Sequence, residues 1–152
     1  EISACLVGSE MCIRDRDKRM KEEHKRAILQ ASDAIVITFK QGMDSLNEFD
    51  KLREKNPIFK MNRSLLLLGK YDRYSKYNTK NTSRYLKESR TISAISYNTL
   101  FGEAASEGKV ADYFLKYRSL TDQTDKNVLF IQEAKKTCDN ILYKLKELQA
   151  KV

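Results

Sequence analysis

The sequence predicts an all-α domain: an antiparallel bundle of four or five helices in which the first and the last are long. Three observations carry that expectation. Five glycines and a single proline leave little of the punctuation that short strands and tight turns require. Apolar residues recur at helical spacing near both ends of the chain. Amphipathic helices of this kind bury their apolar faces against one another, so a bundle follows, with the first or last helix free to overhang as a coiled coil.

Each element has its own justification. Over residues 17–53, Ala27, Ile28, Ala31, Ile35, Phe39, Leu46 and Phe49 fall near one helical face, and Pro57 ends that helix at Asn56 by disfavouring the α conformation before it. Residues 60–77 are expected to be helical, and NTKNT at 78–82, made of poor helix formers, is expected to be a loop. Residues 83–105 carry Leu86, Ile92, Ile95 and Leu100 at helical spacing. Residues 109–120 carry Val110, Tyr113, Phe114 and Tyr117, with Gly102 and Gly108 bounding the break. The last helix follows an N-cap at Thr124 or Asp125 and presents a seam of Val128, Ile131, Ala134, Cys138, Ile141, Leu142, Leu145 and Leu148.

Residues 5–16 read CLVGSEMCIRDR, and LVGSEMCIRD within them resembles the unbroken translation of a transposase sequencing adapter. As a signal peptide the stretch fails, because its apolar part is too short, no basic region precedes it and no small-residue cleavage site follows. Residues 1–16 are therefore expected to be a non-native leader, and residues 17–152 a single helical domain whose native termini are truncated or extend further. That division leaves Cys138 as the sole remaining cysteine, which excludes a disulfide framework and a zinc cluster and fits a reducing, cytoplasmic or otherwise intracellular location. No apolar run reaches the ~18 residues of a membrane span; the longest are AIVITF at 34–39 and the four leucines at 65–68.

Charge is distributed unevenly. Residues 17–50 carry 6 basic and 7 acidic side chains, residues 91–152 carry 9 and 8, and residues 51–90 carry 12 and 3. The whole basic excess therefore sits in the middle. There GKYDRYSKYNTKNTSRYLKESR interleaves Lys70, Arg73, Lys76, Lys80, Arg84, Lys87 and Arg90 with Tyr71, Tyr74, Tyr77 and Tyr85, the composition of a surface that tracks phosphates and stacks bases. In an unbroken helix the cations form one stripe and Tyr71, Tyr74 and Tyr85 another, about a third of a turn away, so the tyrosines would be core and the stripe a solvated face. A break at 78–82 would let the two residue types share a surface.

Chemical motifs are few. No phosphate-binding loop, nucleophile elbow or dinucleotide fingerprint occurs, one histidine excludes a histidine-rich metal site, and no Glu-x-x-His pair is present for a di-iron bundle. No cofactor and no metal are expected. Arg19 and His24 in RMKEEH give an R-x4-H spacing that resembles the motif of the HEPN helical ribonucleases, although Met20 follows the arginine where that motif usually has a polar residue. Residues 83–148 resemble the Qb class of SNARE motif, with Arg118 in mid-segment and Leu100, Val110, Phe114, Val128, Ile131, Cys138, Leu142 and Leu145 at heptad spacing. Its central glutamine is replaced by Tyr117, and Glu103 and Glu107 fall at or beside core layers.

The functional expectation is a non-enzymatic helical protein that binds nucleic acid through phosphate contacts from Lys70, Arg73, Lys76, Lys80, Arg84 and Lys87, with Tyr71, Tyr74 and Tyr77 as stackers. Another anionic surface is the related alternative. The competing expectation is a coiled-coil interaction module that captures a helical partner, or a second copy of itself, through Ile131, Cys138, Leu142 and Leu145. A HEPN-like ribonuclease stands third.

Overall fold

The computed structural model describes residues 3–7 and 21–150. It overturns the all-α expectation, and with it the helical bundle and coiled coil, because three parallel strands form the centre of the domain. In chain order the elements are β1 (Ser3–Val7), α1 (Glu22–Ala31), β2 (Ala34–Lys40), α2 (Met43–Lys55), a 3-10 turn (Pro57–Lys60), β3 (Ser64–Tyr71), α3 (Thr79–Tyr85), β4 (Ile92–Ser96), α4 (Thr99–Ser106), α5 (Val110–Tyr117) and α6 (Lys126–Gln149). The sheet order is β1-β2-β3-β4. β2, β3 and β4 run parallel, and β1 pairs antiparallel to β2 from Ser3↔Thr38 to Val7↔Ala34.

The strands form where the sequence suggested helix, and the reason lies in their neighbours. Ala34, Ile35, Val36 and Ile37 are all buried, so β2 is covered on both faces and has no polar side to alternate with its apolar one. Its β-branched residues favour the extended chain. The register then sorts side chains by parity. Ile37 lies beside Leu66 and Phe39 beside Leu68, which in turn lie beside Ile92 and Ala94. With Ile35 these residues make one continuous apolar face.

Helix α2 covers that face with Leu46 and Phe49, and the Phe49 ring stacks parallel to Phe39 with centroids 5.0 Å apart. Leu86, just after α3, joins the same cluster. Both crossover helices therefore lie on one side, as two successive crossovers of the same hand require. Burying Phe39 and Phe49 stabilises the fold by about 2–3 kcal/mol each.

The other face is covered along β4 by α6, which is 24 residues long and so about 36 Å from end to end. The Glu133 carboxylate accepts a hydrogen bond from the Ser96 amide at 2.8 Å, Asn140 donates to the Ser93 hydroxyl at 3.1 Å, and Lys144 reaches Asn62 at 2.7 Å. These contacts order α6 antiparallel to β4. Where α4, α5 and α6 meet, Phe101, Tyr113, Phe114 and Phe130 make edge-on and tilted ring contacts. Burial of Tyr113, helped by the neighbouring Tyr117 and Asp125, pushes its phenol up to about 12.

The remaining boundaries are corrected in the same way. The helix expected over residues 17–53 is α1, β2 and α2; that expected over 60–77 is the 3-10 turn, β3 and a loop. NTKNT, expected as a loop, opens α3 instead: the Asn78 side chain accepts from the Asn81 amide at 3.0 Å, a cap that holds the first turn. The continuous helix that a SNARE motif needs over residues 83–148 is absent, since β4 and the gaps between α4, α5 and α6 interrupt it. α5 and α6 lie where the periodicity places helices, and Asp125 caps α6 by accepting from the Asn127 amide at 2.6 Å.

Candidate nucleic-acid interface

Parallel α/β sheets present their ligand sites at the carboxyl ends of the strands, where chain leaves the ladder and amides are unpaired. Here that rim is formed by Gln41 after β2, Lys70–Asp72 at the end of β3, and Tyr97 after β4. β3 leaves the ladder through a bulge: Gly69 pairs with Ile95 and Tyr71 with Ser96, so Lys70 is the extra residue. Its φ is 53°, in the left-handed region that a side chain with a Cβ adopts only at a cost. The bulge turns Lys70 out of the sheet, and its Nζ lies 5.4 Å from the centre of the Tyr97 ring.

The loop that follows is held firmly. Gln41 acts as a clamp between strand ends: its Oε1 accepts from the Asp72 amide at 2.6 Å, and its Nε2 donates to the carbonyls of Asp72 and Tyr77, both at 2.9 Å. Asp72 Oδ1 accepts from the Tyr74 amide at 2.9 Å, and Asn81 donates to the Lys76 carbonyl at 2.8 Å. The buried Thr82 hydroxyl donates to the Tyr77 carbonyl at 3.1 Å. Tyr71 and Tyr77 pack against the core from either end of the loop. Between these anchors Tyr74 projects outward and is 90% exposed.

Lys70, Arg73 and Lys76 flank Tyr74 on this loop, and Lys80, Arg84 and Lys87 continue on and just beyond α3. All six side chains are exposed. None makes an ion pair among the described residues. The segment that carries Arg73, Tyr74 and Lys76 is loop and not helix, so the separate helical stripes of cations and tyrosines do not form there. Tyr71 and Tyr77, expected as stackers, are only half-exposed and serve mainly to anchor the loop.

Two residues at this rim were missed from sequence. Tyr97, 64% exposed, stands beside Lys70, and Gln41 fixes the loop. Both lie just past strands that the periodicity rendered as helix, and no local signal distinguishes them. Arg90 departs from the basic stripe in the opposite sense. Its guanidinium turns inward, donating to the carbonyls of Phe59 at 2.8 Å and of Met61 and Ser64 at 3.2 Å, while Glu88 receives its Nε at 2.8 Å. The hydrogen bond from Arg90 holds the Glu88 carboxyl below its usual range, against the opposing effect of burial.

The other candidates are placed as follows. On α6, Cys138 and Leu142 of the expected partner seam are exposed while Ile131 and Leu145 are half-buried, and the buried positions are Val128, Phe130 and Thr137. His24 is exposed on α1, and Arg19 lies outside the described residues. No group of histidine, cysteine or carboxylate side chains that could hold a metal occurs among the described residues, and no helix among them is long and apolar enough to cross a membrane. No protein-family model, curated protein or solved structure matches the chain.

Proposed function

We propose that the protein binds single-stranded nucleic acid across the loop and helix that follow β3. The observation that supports this reading is that Tyr74, almost fully solvated, stands on a loop between exposed Arg73 and Lys76, in a segment whose six exposed cations have no ion-pair partner among the described residues. A solvated phenol gains by stacking on a base, worth about 1–3 kcal/mol. Unpaired cations around it neutralise phosphates and release counterions. Tyr97, with Lys70 over its ring, offers a second platform on the adjacent strand end. Lys70, Arg73, Lys76, Lys80, Arg84 and Lys87 hold the backbone in this reading, and Tyr74 and Tyr97 hold bases.

The test is a titration of a fluorescent single-stranded oligonucleotide and its duplex at two salt concentrations. If all six cations meet phosphates, affinity for the single strand falls with a logarithmic salt slope of about −4. Reversing Lys76, Lys80 and Arg84 to glutamate removes binding and leaves thermal stability unchanged; equal loss of fold, or undiminished binding, refutes the assignment. Binding of anionic vesicles in place of the oligonucleotide would assign the cations to a membrane surface.

A second reading has its own observation. Leu142 and Tyr143 on α6 are 55% and 72% exposed, and with Cys138 they offer an apolar strip to another helix. Leu142→Glu abolishes any self-association or helix capture by that strip and leaves oligonucleotide binding intact.

A further inference from the structure

A cleft of about 390 Å³ lies between the amino ends of β3 and β4 and the second half of α6. Its volume is that of a small-molecule site, but its lining is not the usual apolar one. Leu65 is the single aliphatic side chain among the described residues that line it. The charges in it are already met. Lys144 pairs with Glu147 at 2.8 Å. Arg90 spends its Nε and Nη2 on Glu88 and its Nη1 on the carbonyls of Phe59, Met61 and Ser64. Each lining cation thus faces a carboxylate of this chain.

Two amides in the lining are held by one end only. The Asn62 Oδ1 accepts from the Lys144 ammonium at 2.7 Å, and its Nδ2 donates to nothing among the described residues. The Asn140 Nδ2 donates to the Ser93 hydroxyl at 3.1 Å, and its Oδ1 accepts from nothing among them. Asn140 is half-buried, yet the one buried side-chain atom without a partner among the described residues is the Arg63 Nε, so the Asn140 Oδ1 is open to solvent. A fixed donor and a fixed acceptor therefore belong to the same cleft, together with the hydroxyls of the exposed Ser89 and Thr91. A hydroxyl is the group that uses both, since it donates one hydrogen bond and accepts others. At the margin stands Tyr143, 72% exposed, whose ring offers a flat apolar body with a polar tip.

We propose that this cleft binds a neutral sugar, with ring hydroxyls on Asn62 and Asn140 and one C–H face of the ring on Tyr143. Compensated charges disfavour an ionic ligand, whose desolvation nothing in the cleft offsets. Unused polar groups disfavour an apolar ligand, which would bury them unpaired. A polyol meets both conditions. The site stands at the opposite rim of the sheet from the nucleic-acid surface and shares no residue with it.

The probes are the methyl glycosides of glucose, galactose, mannose and N-acetylglucosamine, each added to the full chain labelled with ¹⁵N. The side-chain amide resonances of Asn62 and Asn140 are the readout. At least one glycoside should shift both saturably at millimolar concentration. Cyclohexanol, a ring with a single hydroxyl, and gluconate, a polyol with a charge, should leave them in place. Asn140→Ala removes the acceptor and should weaken that glycoside about tenfold, followed at Asn62. Because Asn140 also ties α6 to β4, Tyr143→Ala is the second variant: its ring is exposed, so the melting temperature should hold while binding falls about tenfold. If none of the glycosides moves both resonances, the proposal is overturned. Equal response to cyclohexanol or to gluconate overturns it too, as does undiminished binding in Tyr143→Ala.

Discussion

Lys70 and Tyr97 leave adjacent parallel strands and meet at the carboxyl rim, the ammonium nitrogen 5.4 Å from the ring centre. The contact exists because β3 bulges at Lys70, which takes a φ of 53° that the ladder would not permit. A strained lysine at a strand end is tolerated here by the Gln41 clamp on the next residues but one. Lys70→Gly removes the strain and the charge together. It is expected to raise stability by about 0.5–1 kcal/mol in denaturant unfolding, and to weaken oligonucleotide binding in the same preparation. A loss of stability would show that the bulge is not strained.

Tyr74 makes its hydrogen bond through the backbone, so its ring is free to act on a ligand. Tyr74→Ala should leave the melting temperature unchanged and weaken single-strand binding by about 1–3 kcal/mol, or roughly 5- to 150-fold. The salt slope should be unaltered, because no cation is lost. Tyr77→Ala should behave differently, lowering stability through lost core contacts.

Glu88 receives Arg90 and lies within 3.5 Å of Arg53, and the pair of arginines ties the end of α3 to α2 and to the start of β3. Its carboxyl is held below the ordinary 4.5, chiefly by the hydrogen bond from Arg90. A depressed carboxylate contributes stability that is fully present above the unfolded value and is lost as pH falls through the native one. Stability should therefore drop as the pH is lowered below about 4.5, and Glu88→Gln should flatten that drop while lowering stability at neutral pH. An unchanged acid limb in the variant would place the titrating group elsewhere.

β1 overlaps the adapter-like stretch of residues 5–16, yet it pairs along β2 from Ala34 to Thr38. Replacing Ala4 and Leu6 by proline removes amide donors from β1 and frees that edge. The parallel core should still unfold cooperatively, since Phe39, Phe49, Leu66 and Leu68 pack with one another, with residues of α2 and β4 and with Leu86. Self-association should increase, because an uncovered apolar edge is a template for pairing. Loss of cooperative unfolding would make β1 part of the core.

The sheet was hidden in the sequence for a physical reason. AIVITF and the leucines at 65–68 are short apolar runs without polar alternation, which interior parallel strands share with buried helix segments. Ile35 and Phe39 also happen to extend the helical spacing of Ala27 and Ile28, so one face seemed continuous across two elements. Scarcity of glycine misled as well, because Asn78, Asn98 and Asp125 begin the helices by side-chain capping and need no glycine. The basic middle segment was legible because a charge tally does not depend on the fold. Which of its members face inward was not, and Arg90 turned out to hold three backbone carbonyls.

The most direct measurement is ultraviolet cross-linking of a single-stranded oligonucleotide to the full chain, with the cross-linked peptides mapped by mass spectrometry. Cross-links at Tyr74 and Tyr97, suppressed by raised salt and absent after charge reversal at Lys76, Lys80 and Arg84, are the expected result. Cross-links confined to α6 or α1, or none under conditions where the oligonucleotide is bound, would contradict the assignment of the carboxyl rim as the interface.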